Sequence, residues 1–271
     1  MSRYLFEHLD MLAERIKHAP ALIVFLNIDH ALAPPADFPE RAELSPTLRQ
    51  MLRALAQMDG VNVAIISSRK LSDLRALLGL LKLSYAGNNG LEVCTPDSSF
   101  TEPAAVSLQE TVGELAAELA RKLQPVAGVW VENKDLALCV HYRQAPEEKA
   151  DEIRGLVHTI LADSKHPFVL TQGDKTYDIG PRVHWTKGDA VRWLKERLGR
   201  QDALAIYIGD NPSDEEAFAA LPDGITIRVG SVPETAAQYH VNDPAEVEEF
   251  LGWLANVLAD KSVVQSRPAP V

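Results

Sequence analysis

Residues 21–34, ALIVFLNIDHALAP, open with a nearly continuous apolar run over residues 21–28. A strand buried on both faces of a parallel sheet reads this way, because neither face alternates to polar. The run ends in Asn27-Ile28-Asp29, which sets two polar side chains two residues apart just past the strand. His30 and a proline-rich loop (Pro34, Pro35, Pro39) follow.

Outward from this strand the chain alternates. Ser45-Pro46 is an N-cap and first-turn pair that predicts a helix to about residue 58. Residues 62–66 (NVAII) read as a second buried strand and 71–78 as a second helix. Residues 83–86 lead into a tight Gly87-Asn88-Asn89-Gly90 turn. Further on, 204–208 (LAIYI) runs into Gly209-Asp210 and a helix from near Ser213; 226–229 is another strand, and 244–258 an amphipathic closing helix. This spacing predicts a doubly wound α/β core. Ligands of such sheets bind beyond the carboxyl ends of the strands, where Asn27, Asp29, Ser67 and Asp210 converge.

The middle of the chain breaks the pattern. Residues 106–123 read as helix, 129–133 and 136–143 as a hairpin about Asn133-Lys134-Asp135, 147–163 as helix, and 168–172 with 175–179 as a second hairpin around Gly173-Asp174. This predicts an α+β cap inserted into the core. The expected division is a core of residues 1–102 and 181–260, a cap of 103–180 between Pro103 and Pro181, and a frayed tail over 261–271.

Composition narrows the function. With 46% hydrophobic and 24% charged residues the chain is globular, and a net charge of −11 disfavours nucleic-acid and anionic-membrane surfaces. Cys94 and Cys139 stand far apart without metal-ligand spacing and read as reduced, packed thiols. No apolar run is long enough to span a bilayer, and acids interrupt the first ten residues where a signal peptide would be apolar. The expected compartment is the cytoplasm.

The strand ends suit phosphoryl transfer. Carboxylates of Asp29 and Asp210, with Asp214 four residues on, supply oxygens of the kind Mg²⁺ takes. Ser67, with Arg69 beside it, and Lys187 at a helix start would hold phosphoryl oxygens. Each residue also has a structural reading: Asp210 and Asp214 as helix caps, Lys187 as a solvated lysine, Ser67 as a turn residue, and Glu132, Lys134 and His141 as one polar sheet face. Trp130, Trp185, Trp193 and Trp253 read as packing.

The segments FLNIDHALAP, VAIISSR with LSDLRALL, YAGNNGLEV, VWVENKDLALCVHYR, WTKGDAV and YIGDNPSDEEAF, in this order, resemble the trehalose-6-phosphate phosphatases of the haloacid dehalogenase superfamily. The resemblance implies a Rossmann-like parallel-sheet core with a mobile cap, and Mg²⁺-dependent hydrolysis of trehalose 6-phosphate. It implies Asp29 as general acid/base and backbone metal ligand, Ser67 and Lys187 as phosphate holders, and Asp210 and Asp214 as metal carboxylates. In the cap it implies Glu132, Lys134 and His141, with Arg143 and Asn88, as sugar contacts. A trehalose-6-phosphate synthase is a further expected partner.

The chain departs from that pattern where it matters most. The family's Asp-x-Asp-Gly-Thr is here Asn27-Ile28-Asp29-His30-Ala31, so the nucleophile position, which is also a metal position, holds a neutral amide. Ser68, Asn89, Asn211 and the Asp178-Ile179-Gly180-Pro181 segment depart as well. Three readings compete: an introduced substitution in an active enzyme, a natural pseudophosphatase that keeps its pocket for binding or regulation, and His30 acting as acceptor or base.

Overall fold

The computed structural model describes residues 2–29, 31–32, 44–80, 82–198 and 202–265; His30 and the prolines after it lie outside them. A short β1 (Arg3–Tyr4) and α1 (Leu9–His18) precede the apolar run, which forms β2 (Leu22–Leu26). Then come α2 (Pro46–Leu55), β3 (Val61–Ile66), α3 (Leu71–Leu78), β4 (Ser84–Gly87), β5 (Glu92–Cys94) and β6 (Ser99–Thr101). The middle region comprises α4 (Pro103–Val106), α5 (Gln109–Leu123), β7 (Trp130–Asn133), β8 (Leu138–His141), α6 (Ala150–Asp163), β9 (Phe168–Gly173) and β10 (Thr176–Pro181). Alternation resumes with α7 (Lys187–Arg197), β11 (Leu204–Gly209), α8 (Asp214–Ala219), β12 (Ile225–Val229), β13 (Tyr239–Val241) and α9 (Pro244–Gln265).

Among the described residues one sheet has the order β1-β13-β12-β11-β2-β3-β4-β5-β6. It is parallel from β1 through β4 and antiparallel at its β4-β5-β6 edge. β2 lies between β3 and β11, and all five of its residues are buried. Successive side chains explain why the run never turns polar. Leu22, Val24 and Leu26 pack under Leu12 and Ile16 of α1, Leu48 and Leu52 of α2, and Phe250 and Leu254 of α9. Ile23 and Phe25 point the other way, against Val191 and Leu194 of α7 and Phe218 of α8. This is the α/β core the alternation predicts.

The middle region builds a separate antiparallel sheet, β7-β8-β10-β9. One face carries Leu138, Val140, Tyr177 and Ile179 beneath Val112, Leu115 and Leu119 of α5 and Ile153 and Val157 of α6. Trp130, Glu132, Cys139, His141 and Asp178 form the alternate set and occupy the opposite face. The β7–β8 tip reaches the core, where Leu136 packs with Leu91, Ala105, Val183 and Trp185.

Local signals hold where they were read. Ser45 Oγ accepts from Leu48 N at 3.0 Å at the start of α2. At the expected helix start by Lys187, Thr186 and Asp189 add a capping box that the sequence reading did not name. Two expectations need correction. The helix over 106–123 is two, α4 and α5; Ser107 Oγ donates to Ala104 O at 2.7 Å, a local bond that competes with continuation. The closing helix does not stop at 258 but runs to Gln265, and Lys261 Nζ donates to the carbonyls of Ile16 and Ala19. β1, α1, β5, β6 and β13 were not foreseen.

Candidate functional site

Asn27 follows β2 and is 4% exposed. Its backbone N–H donates to Ile208 O at 2.9 Å, extending the ladder to β11. Its side-chain Nδ2 donates to Asp210 Oδ1 and to Asp214 Oδ2, each at 3.1 Å. Asp214, at the start of α8, is fully buried. Its Oδ1 accepts from Lys187 Nζ and Tyr207 OH, both at 2.7 Å. Its Oδ2 also accepts the backbone N–H groups of Asp210 at 3.0 Å and Asn211 at 2.9 Å. Gly209 makes this fold-back possible, since a Cβ there would lie 2.4 Å from Asp214 Oδ2.

Burial alone favours a protonated Asp214, but Lys187, with the donors from Asn211 and Tyr207, holds its carboxyl below the ordinary value. Asp210 goes the other way: burial and the Asp214 charge push it up to about 7. Asp29 accepts from Ser67 Oγ at 3.1 Å and from the Arg69 guanidinium, whose Nε lies 2.9 Å from both carboxylate oxygens. Burial lowers Arg69, and the Asp29 pair more than offsets it, raising the guanidinium above its ordinary value.

The next layer is the turn after β4. Asn88 and Asn89 adopt left-handed φ of 49° and 56°, a conformation asparagine tolerates. Asn88 Nδ2 donates to Glu92 Oε1 at 2.8 Å and to Lys134 O at 3.1 Å. A Cβ on Gly87 would meet the backbone N of Leu71 at 2.5 Å, so this turn presses directly on the start of α3.

The β7–β8 hairpin closes over these loops. Lys134 is 4% exposed, and its Nζ donates to Ser68 O at 3.1 Å and Asp178 Oδ1 at 2.7 Å. Burial alone would lower Lys134, yet Asp178 holds it above its ordinary value. Lys70 and Asp135 form a second ion pair between loop and hairpin. Glu132 Oε2 lies 2.9 Å from His141 Nε2, and the His141 ring stacks on Trp130 at 3.9 Å. Burial raises Glu132, but His141, Lys134 and Arg69 together bring it below its ordinary value.

The fold thus gathers Asn27, Asp29, Ser67, Arg69, Lys187, Asp210 and Asp214 at the strand ends, with Asn88 and Lys134 joined to them and Glu132 paired to His141 on the facing sheet. It does not gather Arg143. That guanidinium is held at the β9–β10 turn by Asp174, through O at 2.9 Å and Oδ2 at 2.8 Å. The sequence reading missed Tyr207 as a participant. Tyr207 had a legible signal, a hydroxyl inside the apolar run LAIYI that needs a buried partner. Asp178 stands in the segment already noted as departing from the family pattern, and its partner there is Lys134.

The donors leave little for a cation. Among the described residues no three His, Cys, Asp or Glu side chains come together as a metal-holding group. Asp214 has five donors, Asp29 has Ser67 and the Arg69 fork, and only Asp210 keeps an oxygen without such a partner. As it stands, this donor set does not fit a resident Mg²⁺.

Comparison with known proteins gives the family. Residues 25–245 match the model of the trehalose-phosphatase family. Trehalose 6-phosphate phosphatase RA3 of Zea mays is 35% identical over 255 residues, covering 87% of this chain and 70% of that protein. The trehalose-phosphate phosphatase of Mycobacterium tuberculosis is 33% identical over 246 residues, covering 88% and 62%. The chain therefore spans about two thirds of the length of these curated relatives. The C-terminal domain of C. albicans trehalose-6-phosphate phosphatase has the same fold, with a TM-score of 0.81 over 94% of this chain and 98% of that one at 22% identity. Among the described residues no helix is long and apolar enough to cross a membrane. The chain belongs to the trehalose-phosphatase family.

Proposed function

We propose that this chain binds trehalose 6-phosphate, or a closely related sugar phosphate, in the cleft between its two sheets and hydrolyses it slowly or not at all. One observation carries the reading. The side chain at the attacking position is Asn27, and it points its N–H groups at Asp210 and Asp214. An amide has no carboxylate oxygen to add to phosphorus, so no acyl phosphate forms there. Removing the covalent nucleophile of a serine protease lowers turnover on the order of 10⁶, and a comparable loss is expected here.

The binding groups persist. In this reading Ser67 and Lys187 hold phosphoryl oxygens, Asp29 serves as proton donor or acceptor at the bridging oxygen, and Glu132, Lys134 and His141 meet the sugar, in the cytoplasm. Enzymes of the family generally use Mg²⁺; in this chain the cation would find its place only with an aspartate at position 27.

Phosphate release from trehalose 6-phosphate with Mg²⁺, for the unaltered chain and Asn27→Asp, tests the proposal beside calorimetric titration of the sugar phosphate. Binding without turnover in the unaltered chain, and a gain of at least about 10³ in Asn27→Asp, is the expected result. Rapid turnover by the unaltered chain would overturn it and turn attention to His30. A second reading follows from the same amide: a binding-only chain that regulates a trehalose-6-phosphate synthase. Co-purification with a synthase, and a change in synthase rate on addition of the chain, would favour that role.

A further inference from the structure

We infer that Asn27 does the work of a divalent cation in this site, so that the chain holds its strand-end geometry without metal and binds divalent ions weakly. The argument starts from two carboxylates side by side. Asp210 and Asp214 are four residues apart across the β11–α8 turn, and Asp214 is wholly buried. In a low-dielectric interior such a pair needs positive or hydrogen-bonding density between its members. Asn27 supplies it: the two N–H bonds of one amide nitrogen reach one carboxylate each, both at 3.1 Å. Bonds to ionised acceptors are the strong ones, and a primary amide offers two donors from a single atom.

Among the described residues the neighbouring cations are already engaged, Arg228 with Asn211 O at 3.3 Å and Glu215 Oε1 at 3.2 Å. Lys187 is on the opposite oxygen of Asp214, and Arg69 is forked on Asp29. The amide nitrogen lies within 3.1 Å of an oxygen of each carboxylate, so it takes up acceptor capacity on both. An aspartate at position 27 would reverse the situation, setting a third group of acceptors against two that already repel. That arrangement needs an ion; the present one does not. The inference stands apart from the sugar-phosphate reading, because a chain that bound no sugar phosphate at all would still give the same cation result.

Two measurements on the full chain test it. Thermal unfolding is followed in EDTA and in excess Mg²⁺, and Mn²⁺ binding is followed by the electron paramagnetic resonance of the free ion. The unaltered chain is expected to melt at the same temperature in both solutions. Asn27→Asp is expected to melt lower in EDTA and recover with Mg²⁺, and to bind Mn²⁺ at least about tenfold more tightly than the unaltered chain. Equal stabilisation of both proteins by Mg²⁺, or equal Mn²⁺ affinity, overturns the proposal. Should Asn27→Asp fail to fold in EDTA, the unaltered chain decides alone: saturable micromolar Mn²⁺ binding overturns the inference, and its absence upholds it.

Discussion

Lys187 and Tyr207 both donate to Asp214 Oδ1 at 2.7 Å, yet their removal has different consequences. Tyr207→Phe takes away one neutral donor and leaves the carboxylate with three other neutral donors and its cation. A hydrogen bond to a charged group is worth about 1.5–3 kcal/mol. Lys187→Ala leaves a carboxylate of zero exposure without its counter-charge, and breaking a buried pair from one side costs about 3–5 kcal/mol. Urea unfolding of the two variants is therefore expected to place Lys187→Ala clearly below Tyr207→Phe. Equal losses would mean that the hydroxyl and backbone donors, not the ammonium, carry Asp214. Asn27 makes the complementary point. Its identity was plain in the sequence, but the direction of its amide was not, because that depends on two acceptors more than 180 residues away.

The β7–β8 hairpin carries a pH dependence of its own. Glu132, bonded to His141, titrates in the folded protein below its ordinary value of 4.5. A depressed carboxyl contributes stability that is present above the unfolded value and lost as pH falls through the folded one. Denaturant titrations across the acid range are expected to show the unaltered chain more stable than Glu132→Gln near neutrality, with the gap closing below pH ~4 as the carboxyl is protonated. A gap that stayed constant would remove Glu132 as its source. Elements like this hairpin were legible because strand alternation and the turn residues Asn133-Lys134-Asp135 agree. β2, β3 and β11 were legible because burial on two faces leaves an uninterrupted apolar run. β1 and β13 were not: a two-residue strand has no period to read, and its pairing is set by a partner over 230 residues away. Arg143 shows the same limit within the candidate site. The strand expected over 136–143 ends at His141, so Arg143 lies past it, and its capture by Asp174 depends on the turn of a neighbouring hairpin.

The two sheets meet at the tip of that hairpin, where the 5%-exposed Leu136 seats among Leu91, Ala105, Val183 and Trp185. Lys134 and Asp135, just before Leu136 in the chain, bind the loop after β3. Truncating a buried leucine costs about 2–5 kcal/mol, and here the loss falls on the junction between the sheets. Leu136→Ala is expected to lower overall stability by about 2–3 kcal/mol and to speed proteolytic cleavage around residues 133–137; unchanged cleavage would mean the ion pairs alone hold the tip. The long-range register of the core has a different consequence, for biosynthesis. β2 pairs with β11, Val24 opposite Ile206, so the wholly apolar strand that begins the core receives its second neighbour only after the intervening chain has been made. At ribosomal speeds of about 5–20 residues per second, that is a delay of roughly ten to forty seconds. During it, LIVFL is an open edge able to pair with another nascent chain. The contacts that gather the site from both ends of the polypeptide thus also make its first strand a client for chaperones while the protein is being synthesised.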